Sequence, residues 1–302
     1  MTQPIIHTQG LTFGFDKGHR IVDNVSLQVN KGSIYCFLGP NGAGKTTTLR
    51  LLLGLLSSNQ DIQLFGKDLT THRLEILSRT GTLIEQPSLY GHLTGYMNLE
   101  IHRLAYGVAK SRIEAVLEIC GISYAARQKV GSYSMGMRQR LGICIALLHD
   151  PELLILDEPT NGLDPEGMIE VRNLIISLNR DFKKTLLISS HLLSEMERIA
   201  TDVGIIRSGR LLYQGPKSEL YSVVEPTGLF RIESPRTDDA RALLCSDYDA
   251  QKVDDSVLMI SNINRDSAPR IIELLVQNKI PLLGAGFESQ NLESIYLKLI
   301  SK

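Results

Sequence analysis

The stretch that decides the fold of this chain is Gly39-Pro40-Asn41-Gly42-Ala43-Gly44-Lys45-Thr46. An apolar run at residues 34–38 predicts a buried strand before it, and a leucine-rich run at residues 47–56 predicts a helix after it. Glycines in that context let backbone N–H groups curl around phosphates, and the helix N-terminus adds a positive dipole end. Lys45 would reach the β- and γ-phosphate oxygens, and the Thr46 hydroxyl would bind Mg²⁺. The stretch therefore predicts a nucleoside triphosphate site.

The composition excludes several other classes of protein. The 302 residues are enough for a full α/β core and a second, smaller domain. Lysine and arginine number 32 against 33 acidic residues, so no basic field recruits nucleic acid or anionic lipid. The four scattered cysteines suit a reducing cytosol. Because no apolar run reaches the ~18 residues of a membrane helix and no signal segment is visible, we expect a cytoplasmic protein that meets the membrane only through a partner.

Three polar side chains are predicted to meet the glycine loop at one edge of a parallel sheet. Apolar runs at 153–156 and 185–188 predict buried strands, the first ending in Asp157 and Glu158 and the second running towards His191. Ligands of open parallel sheets lie beyond the carboxyl ends of the strands. Asp157 suits Mg²⁺ binding, Glu158 can orient or deprotonate a water, and His191 can donate a hydrogen bond to a γ-phosphate oxygen. This convergence predicts one catalytic site.

A second helix start also favours anions. Ser134 and Gly136 precede a run, residues 137–148, whose apolar side chains share one helical face. Its first N–H groups and the serine hydroxyl would attract phosphate. Since one triphosphate cannot readily meet two such helix starts on opposite sides of a compact site, we expect a second subunit to present its Ser134 loop to the nucleotide of the first.

An aromatic turn lies near the N-terminus, between predicted strands at 5–13 and 25–29. Phe15 in this turn could stack on a purine, at about 1–3 kcal/mol by analogy with base stacking. The alternative is a phenylalanine that closes the β core.

The remaining elements predict a helical insert within an α/β chain. Between about 90 and 150 we expect a helical lobe, with helices capped by Thr94 and Ser111. Further strands are predicted at 60–65, 82–87, 203–206 and 211–213, and further helices at 74–77 and from Pro165.

The order of these motifs resembles the ATP-binding subunit of an ABC transporter over residues 5–220. GPNGAGKTT matches its Walker A loop, LLILDE its Walker B strand, the run ending at Asp164 its D-loop, and SSH its switch histidine. Phe15 stands where the family places an adenine-stacking aromatic. YSMGM stands at the LSGGQ signature and departs from it at three of five positions, keeping Ser134 and Gly136.

The resemblance implies a fold, an activity and partners. The fold is α/β, a P-loop NTPase of ABC type with a RecA-like parallel-sheet core, an antiparallel β subdomain, a helical lobe and a small α+β C-terminal domain. The activity is ATP hydrolysis with Mg²⁺, driving transport through a separate membrane permease at the cytoplasmic face of the membrane. Nucleotide-binding domains of this family dimerise head to tail around two ATP molecules, as a homodimer or with a related chain.

The resemblance also implies which residues act. Glu158 and His191 are the implied catalytic residues, and Thr46, Asp157 and Glu85 are the implied Mg²⁺ ligands. The implied nucleotide-binding residues are Phe15, Gly39, Pro40, Asn41, Gly42, Ala43, Gly44, Lys45, Thr46, Thr47, Glu85, Ser134, Gly136 and Asp164.

A narrower resemblance concerns the Q-loop. The runs LIEQPSLYGHLTG and YSMGMRQRLGICIALL are similar to those of ATPases from bacitracin and lantibiotic self-protection exporters. In that group a glutamate commonly stands at the Q-loop position, here Glu85. The alternative is that Gln86 fills the usual role after a shift of one residue.

Other classes fit less well. DNA-maintenance relatives carry a coiled-coil arm, whereas only about 90 residues without sustained heptads separate Lys45 from Ser134. Ribosome-acting relatives usually hold two nucleotide domains, and this chain has one phosphate loop. A scaffold without turnover is disfavoured because Glu158 and His191 are both present. Export of a drug, a lipid or an ion stays open as an alternative substrate.

The C-terminal segment carries no catalytic signal. We expect residues 1–224 to form the nucleotide-binding domain and residues 225–302 an accessory domain of ferredoxin-like type. Strands are predicted at 229–233, 257–260 and 280–283, and helices at 237–245, 267–278 and 292–300.

Overall fold

The computed structural model describes residues 4–15, 18, 20–57, 61–223, 228–264 and 266–287, with single positions 292, 295, 296 and 299. Its contacts divide the chain into two compact units, Met1–Lys217 and Ser218–Lys302.

The first unit contains twelve strands and seven α-helices within the described residues, and an eighth α-helix spans the division. The strands are β1 (Ile6–Thr8), β2 (Leu11–Phe13), β3 (Val22–Val25), β4 (Gln28–Val29), β5 (Ile34–Leu38), β6 (Ile62–Leu64), β7 (Lys67–Asp68), β8 (Thr80–Leu83), β9 (Leu153–Asp157), β10 (Thr185–Ser190), β11 (Asp202–Arg207) and β12 (Arg210–Pro216). The helices are α1 (Lys45–Leu52), α2 (Arg73–Ser78), α3 (Gly95–Tyr106), α4 (Ser111–Ile119), α5 (Met135–Leu147), α6 (Pro165–Arg180), α7 (Leu193–Glu197) and α8 (Lys217–Val223).

The main sheet has the strand order β12-β11-β5-β10-β9-β8. All pairs are parallel except β11 with β12. Every residue of β5, β9 and β10 is buried, as continuous apolar runs in a parallel sheet require. The register pairs Ser190 with Leu38 and Ser189 with Asp157, which brings the carboxyl ends of these three strands to one edge. The predicted parallel core is confirmed.

The N-terminal antiparallel strands differ from the prediction. The segment predicted as one strand at 5–13 forms β1 and β2 in different sheets, and the segment at 25–29 is likewise divided between β3 and β4. Gly10, at φ 62°, turns the chain between β1 and β2. The Thr8 hydroxyl accepts a hydrogen bond from Leu27 N at 2.8 Å across the divided strands. One sheet has the order β4-β1-β6-β7, and β2 pairs with β3 alone.

The helices of the insert begin as predicted in two of three cases. Thr94 caps α3 by accepting from Met97 N at 3.1 Å, and Ser134 caps α5 by accepting from Met137 N at 3.2 Å. The prediction that Ser111 caps α4 was wrong, because Lys110 occupies the cap and Ser111 is the first helical residue.

The second unit contains β13 (Gly228–Glu233), α9 (Thr237–Leu244), β14 (Asp249–Lys252), β15 (Val257–Ile263), α10 (Ala268–Gln277) and β16 (Gly284–Phe287). Its sheet order is β14-β15-β13-β16 with all neighbours antiparallel, the order of a ferredoxin-like sheet. The strand predicted at 280–283 was wrong, since pairing with β13 starts at Gly284. β14 was not predicted, and most of the helix predicted at 292–300 lies outside the described residues.

Candidate functional site

The glycine loop lies between β5 and α1, as the sequence predicts. Gly39 has no room for a side chain, because a Cβ there would come within 2.3 Å of the Ile206 carbonyl oxygen. Gly44 is the N-cap of α1 at φ 102°, a conformation that L side chains rarely adopt. The helix therefore begins at Lys45, two residues before the predicted start, and ends at Leu52, four residues before the predicted end. Its N-terminus faces the loop as an anion site requires.

The Lys45 ammonium is buried at the mouth of this loop. It donates to the Gly39 carbonyl at 2.7 Å and to the Pro40 carbonyl at 3.2 Å. It also lies 3.1 Å from Glu158 Oε1. A buried cation with one carboxylate partner attracts a further anion, so phosphate oxygens would compete with Glu158 for Lys45.

Thr46 and Asp157 meet beside the loop. The Thr46 hydroxyl donates to Asp157 Oδ2 at 2.7 Å, and the buried Ser189 hydroxyl donates to Asp157 Oδ1. A hydroxyl and a carboxylate are the hard oxygen ligands that Mg²⁺ accepts, with phosphate oxygens and waters completing the shell. The residues present therefore fit a magnesium ion.

Glu158 is held by groups on two segments, the start of α1 and the end of β10 with the residue that follows it. Its Oε2 lies 2.8 Å from His191 Nδ1, and its backbone N donates to the Ser189 hydroxyl at 2.9 Å. Its φ is 47°, the left-handed region that is uncommon for this residue type. The strand register thus places a carboxylate, an imidazole and the Lys45 ammonium in one connected group. Such a group can orient a water and accept its proton beside a bound phosphate.

Phe15 lies at the surface of the first unit. Its ring is 66% exposed and packs edge-on against Phe13, with centroids 5.1 Å apart. Phe13, by contrast, packs against the buried core. The alternative that Phe15 closes the β core was wrong, because most of the surface of this residue is exposed and accessible to a stacking partner.

The structure pairs Glu85 with a basic side chain of α1. Its carboxylate is exposed and forms an ion pair with Arg50. Arg50 lies one turn after Thr46 on α1, so both side chains share a face of that helix. Glu85 therefore contacts the helix that carries the Thr46 hydroxyl, one turn further along that helix.

Ser134, Gly136 and Asp164 lie at two neighbouring helix starts. Asp164 caps α6 by accepting from Gly167 N at 3.1 Å. Gly136 packs against the same turn, since a Cβ on it would lie 3.6 Å from Gly167 Cα. The Met135 side chain lies against Gly162, so the start of α5 and the loop before α6 form one surface.

The comparisons with known proteins agree with this geometry. Residues 22–161 match the ABC transporter family. The chain is 40% identical to the bacitracin transport ATP-binding protein BcrA of Bacillus licheniformis, over 98% of this chain and 97% of that protein. The chain belongs to the ABC transporter family. It is also 40% identical to the lantibiotic transport ATP-binding protein SrtF of Streptococcus pyogenes, over 64% of this chain and 83% of that protein.

Among solved structures, an ATP-binding subunit of an ABC transporter superposes with a TM-score of 0.64 at 25% identity, covering 72% of this chain and 92% of that one. The predicted family and fold class are confirmed: this is an ABC ATPase, which binds and hydrolyses ATP. Within the described residues, we find no helix with the length and apolar character needed to span a bilayer.

Sequence reasoning missed two residues of this ABC ATPase's site. Ser189 appeared only as part of a motif, although its hydroxyl contacts both Asp157 and Glu158. The feature of the sequence that could have indicated this role is a hydroxyl on β10, which pairs with β9, the strand that ends in Asp157. Arg50 gave a weaker signal, since only its spacing of four residues from Thr46 placed it on the same helix face.

Proposed function

We propose that this ABC ATPase energises export of an antimicrobial peptide of the bacitracin or lantibiotic class through a separate membrane permease. The observation that carries the proposal is the 40% identity to a bacitracin transport ATP-binding protein over 98% of the chain. That alignment extends beyond the nucleotide-binding unit and includes the C-terminal unit, which a generic ATPase module would not require. Export of a drug, a lipid or an ion is the alternative. The permease would hold the ATPase at the cytoplasmic face of the membrane.

In the proposed hydrolysis, Thr46 and Asp157 would hold Mg²⁺, which would supply positive charge beside the phosphates. Lys45 binds phosphate oxygens in place of its contact with Glu158. The carboxylate so released orients a water and accepts its proton. His191, 2.8 Å from that carboxylate, keeps it in place and donates to the γ-phosphate. The open face of Phe15 stacks on the adenine.

Two copies, or this chain and a related one, would complete each site. The surface formed by Ser134, Gly136 and Asp164 carries the N-terminus of α5, which has no acidic residue in its first turn and favours an anion from outside the chain. We place the nucleotide of the partner there. Glu85 would report the nucleotide state to the helical lobe, because it follows β8 and precedes α3.

The proposal is tested by deleting the gene in its native cell and measuring tolerance to bacitracin, a lantibiotic and an unrelated aminoglycoside. We expect sensitivity to a peptide alone, restored by the wild-type gene but not by Glu158→Gln. Glu75→Gln is the matched control, since it makes the same change in a surface ion pair with Lys67. Unchanged peptide tolerance in the deletion strain, with sensitivity to another class of compound, would reject the peptide substrate.

A further inference from the structure

The turn that carries Phe15 is in direct backbone contact with the phosphate loop. The Ile21 carbonyl oxygen lies between two glycines, and a Cβ on either Gly44 or Gly209 would come within 2.6 Å of it. Both glycines have positive φ, 102° and 79°. The β2–β3 hairpin, the glycine loop and the β11–β12 turn therefore meet where side chains cannot fit.

Hydrogen bonds continue this contact in both directions. Gly209 N donates to the Ala43 carbonyl at 3.0 Å, and Asp23 N donates to the Gly209 carbonyl at 2.8 Å. On the other side, Ile21 N donates to the Phe13 carbonyl at 2.8 Å. A backbone path thus runs from the phosphate loop, through the β11–β12 turn, to the hairpin whose turn presents Phe15.

Charged side chains fasten the same junction. The Asp23 carboxylate accepts from Arg20 Nη1 at 2.8 Å and from Arg210 Nε at 2.7 Å. Its side chain is only 11% exposed, whereas that of Arg210 is 72% exposed. The hydrogen bond from Arg20, followed by that from Arg210, lowers the pKa of Asp23, so the carboxylate stays charged at neutral pH. Arg20 precedes Ile21 and Arg210 follows Gly209, so the Asp23 carboxylate joins a residue before β3 to a residue at the β11–β12 turn.

We propose that Asp23 and Arg210 are positioning residues for the nucleotide base. By fastening the hairpin to the β11–β12 turn, they set the place of the Phe15 ring relative to the phosphate loop, and hence whether one nucleotide can reach both. The proposal rests on the stacking role proposed for Phe15. A purely structural ion pair would instead affect stability without distinguishing ligands that have a base from those that do not.

The test compares ATP with inorganic tripolyphosphate, which occupies the phosphate loop but has no base. For Asp23→Asn we expect the KM for ATP to rise about threefold to tenfold, part of the range that loss of a stacked base would give, with kcat within about twofold. The inhibition constant of tripolyphosphate should not change. Arg210→Gln changes an exposed side chain and should also raise the KM for ATP. It replaces Asp23→Asn in the test if that variant folds poorly. Arg180→Gln is the matched control, because Arg180 is 73% exposed in an ion pair with Asp181.

The Phe15→Ala background separates the possible outcomes. Positioning through the ring predicts that Asp23→Asn no longer raises KM once Phe15 is alanine. An effect of Asp23→Asn that persists there, or an equal loss of tripolyphosphate binding, overturns the inference. If Phe15→Ala alone leaves KM unchanged, the stacking role fails and the inference with it. If Phe15→Ala raises KM but neither Asp23→Asn nor Arg210→Gln does, only the inference fails.

Discussion

Replacing Ser189 by alanine should weaken the coupling between magnesium and nucleotide in this ABC ATPase. The Ser189 hydroxyl is fully buried, donates to Asp157 Oδ1 and accepts from Glu158 N at 2.9 Å. It therefore fixes the orientation of the carboxylate proposed to bind Mg²⁺ and the backbone of the proposed base at once. Alanine removes both contacts without adding volume.

The structure allows the size of this effect to be estimated. A hydrogen bond to a charged group contributes about 1.5–3 kcal/mol, so we expect the free energy of unfolding of the first unit to fall by about 2 kcal/mol. At about 2–4 °C per kcal/mol, its thermal midpoint should fall by about 4–8 °C. Loss of a partner that orients a metal-binding side chain costs about 10–100-fold in metal affinity. We expect the lower end, because Thr46 still contacts Asp157.

The assay measures the dissociation constant of a fluorescent ATP analogue with Mg²⁺ and with EDTA. The ratio of the two constants reports how much the metal strengthens binding, and it should shrink about tenfold in Ser189→Ala. Ser190→Ala is the matched control: Ser190 is equally buried, but its hydroxyl accepts from Leu192 N at 3.0 Å. If both variants keep the wild-type ratio, Ser189 does not act on the metal through Asp157 and the reasoning is wrong.

Three further predictions test the proposed roles. Glu158→Gln should retain ATP binding but hydrolyse ATP at least about 100-fold more slowly, because an amide cannot accept the proton of water. The variant should accumulate as an ATP-bound dimer on size-exclusion chromatography. Hydrolysis at the wild-type rate would remove Glu158 from the role of base. Ser134→Arg should bind ATP normally but lack cooperative turnover, with partial activity returning when it is mixed with Lys45→Ala chains; normal hydrolysis by Ser134→Arg alone would contradict the two-chain site. Glu85→Ala should keep ATPase activity of the isolated chain within about tenfold, near 1.4 kcal/mol in the barrier, yet strongly impair peptide tolerance in cells with the permease. Collapse of hydrolysis, or tolerance that survives Glu85→Ala but not Gln86→Ala, would contradict that role.

The parallel core could be predicted from the sequence because its strands are apolar on both faces and can only be buried. Residues 34–38 and 153–156 are apolar at every position, so they bury both faces, and the polar residues that follow must lie at the strand ends. The same reasoning brought Lys45, Asp157 and His191 to one edge, where the structure places them.

The sequence did not indicate which distant segments of the chain pair with each other. Nothing near Glu85 in the chain indicates that its partner is Arg50, 35 residues earlier. In the second unit, the apolar run at 280–283 predicted a strand, yet the paired strand is Gly284-Ala285-Gly286-Phe287. Glycine is depleted in strands, and this segment is recruited by the neighbouring β13 rather than by its own propensity. Periodicity reports burial along one segment and carries no information about which segment lies beside it.

The left-handed backbone of Glu158 has a consequence for how this enzyme can change. Holding a glutamate at φ 47° costs on the order of 1–3 kcal/mol, which the surrounding sheet must offset. A glycine there would relieve that cost, but it would also remove the carboxylate that lies 3.1 Å from the buried Lys45 ammonium, and breaking such a buried pair costs about 3–5 kcal/mol. Variants selected for heat tolerance alone should therefore keep the glutamate, as should variants selected for peptide tolerance. Stability and turnover select for the same residue here, because the pair with Lys45 costs more to break than the left-handed backbone costs to hold.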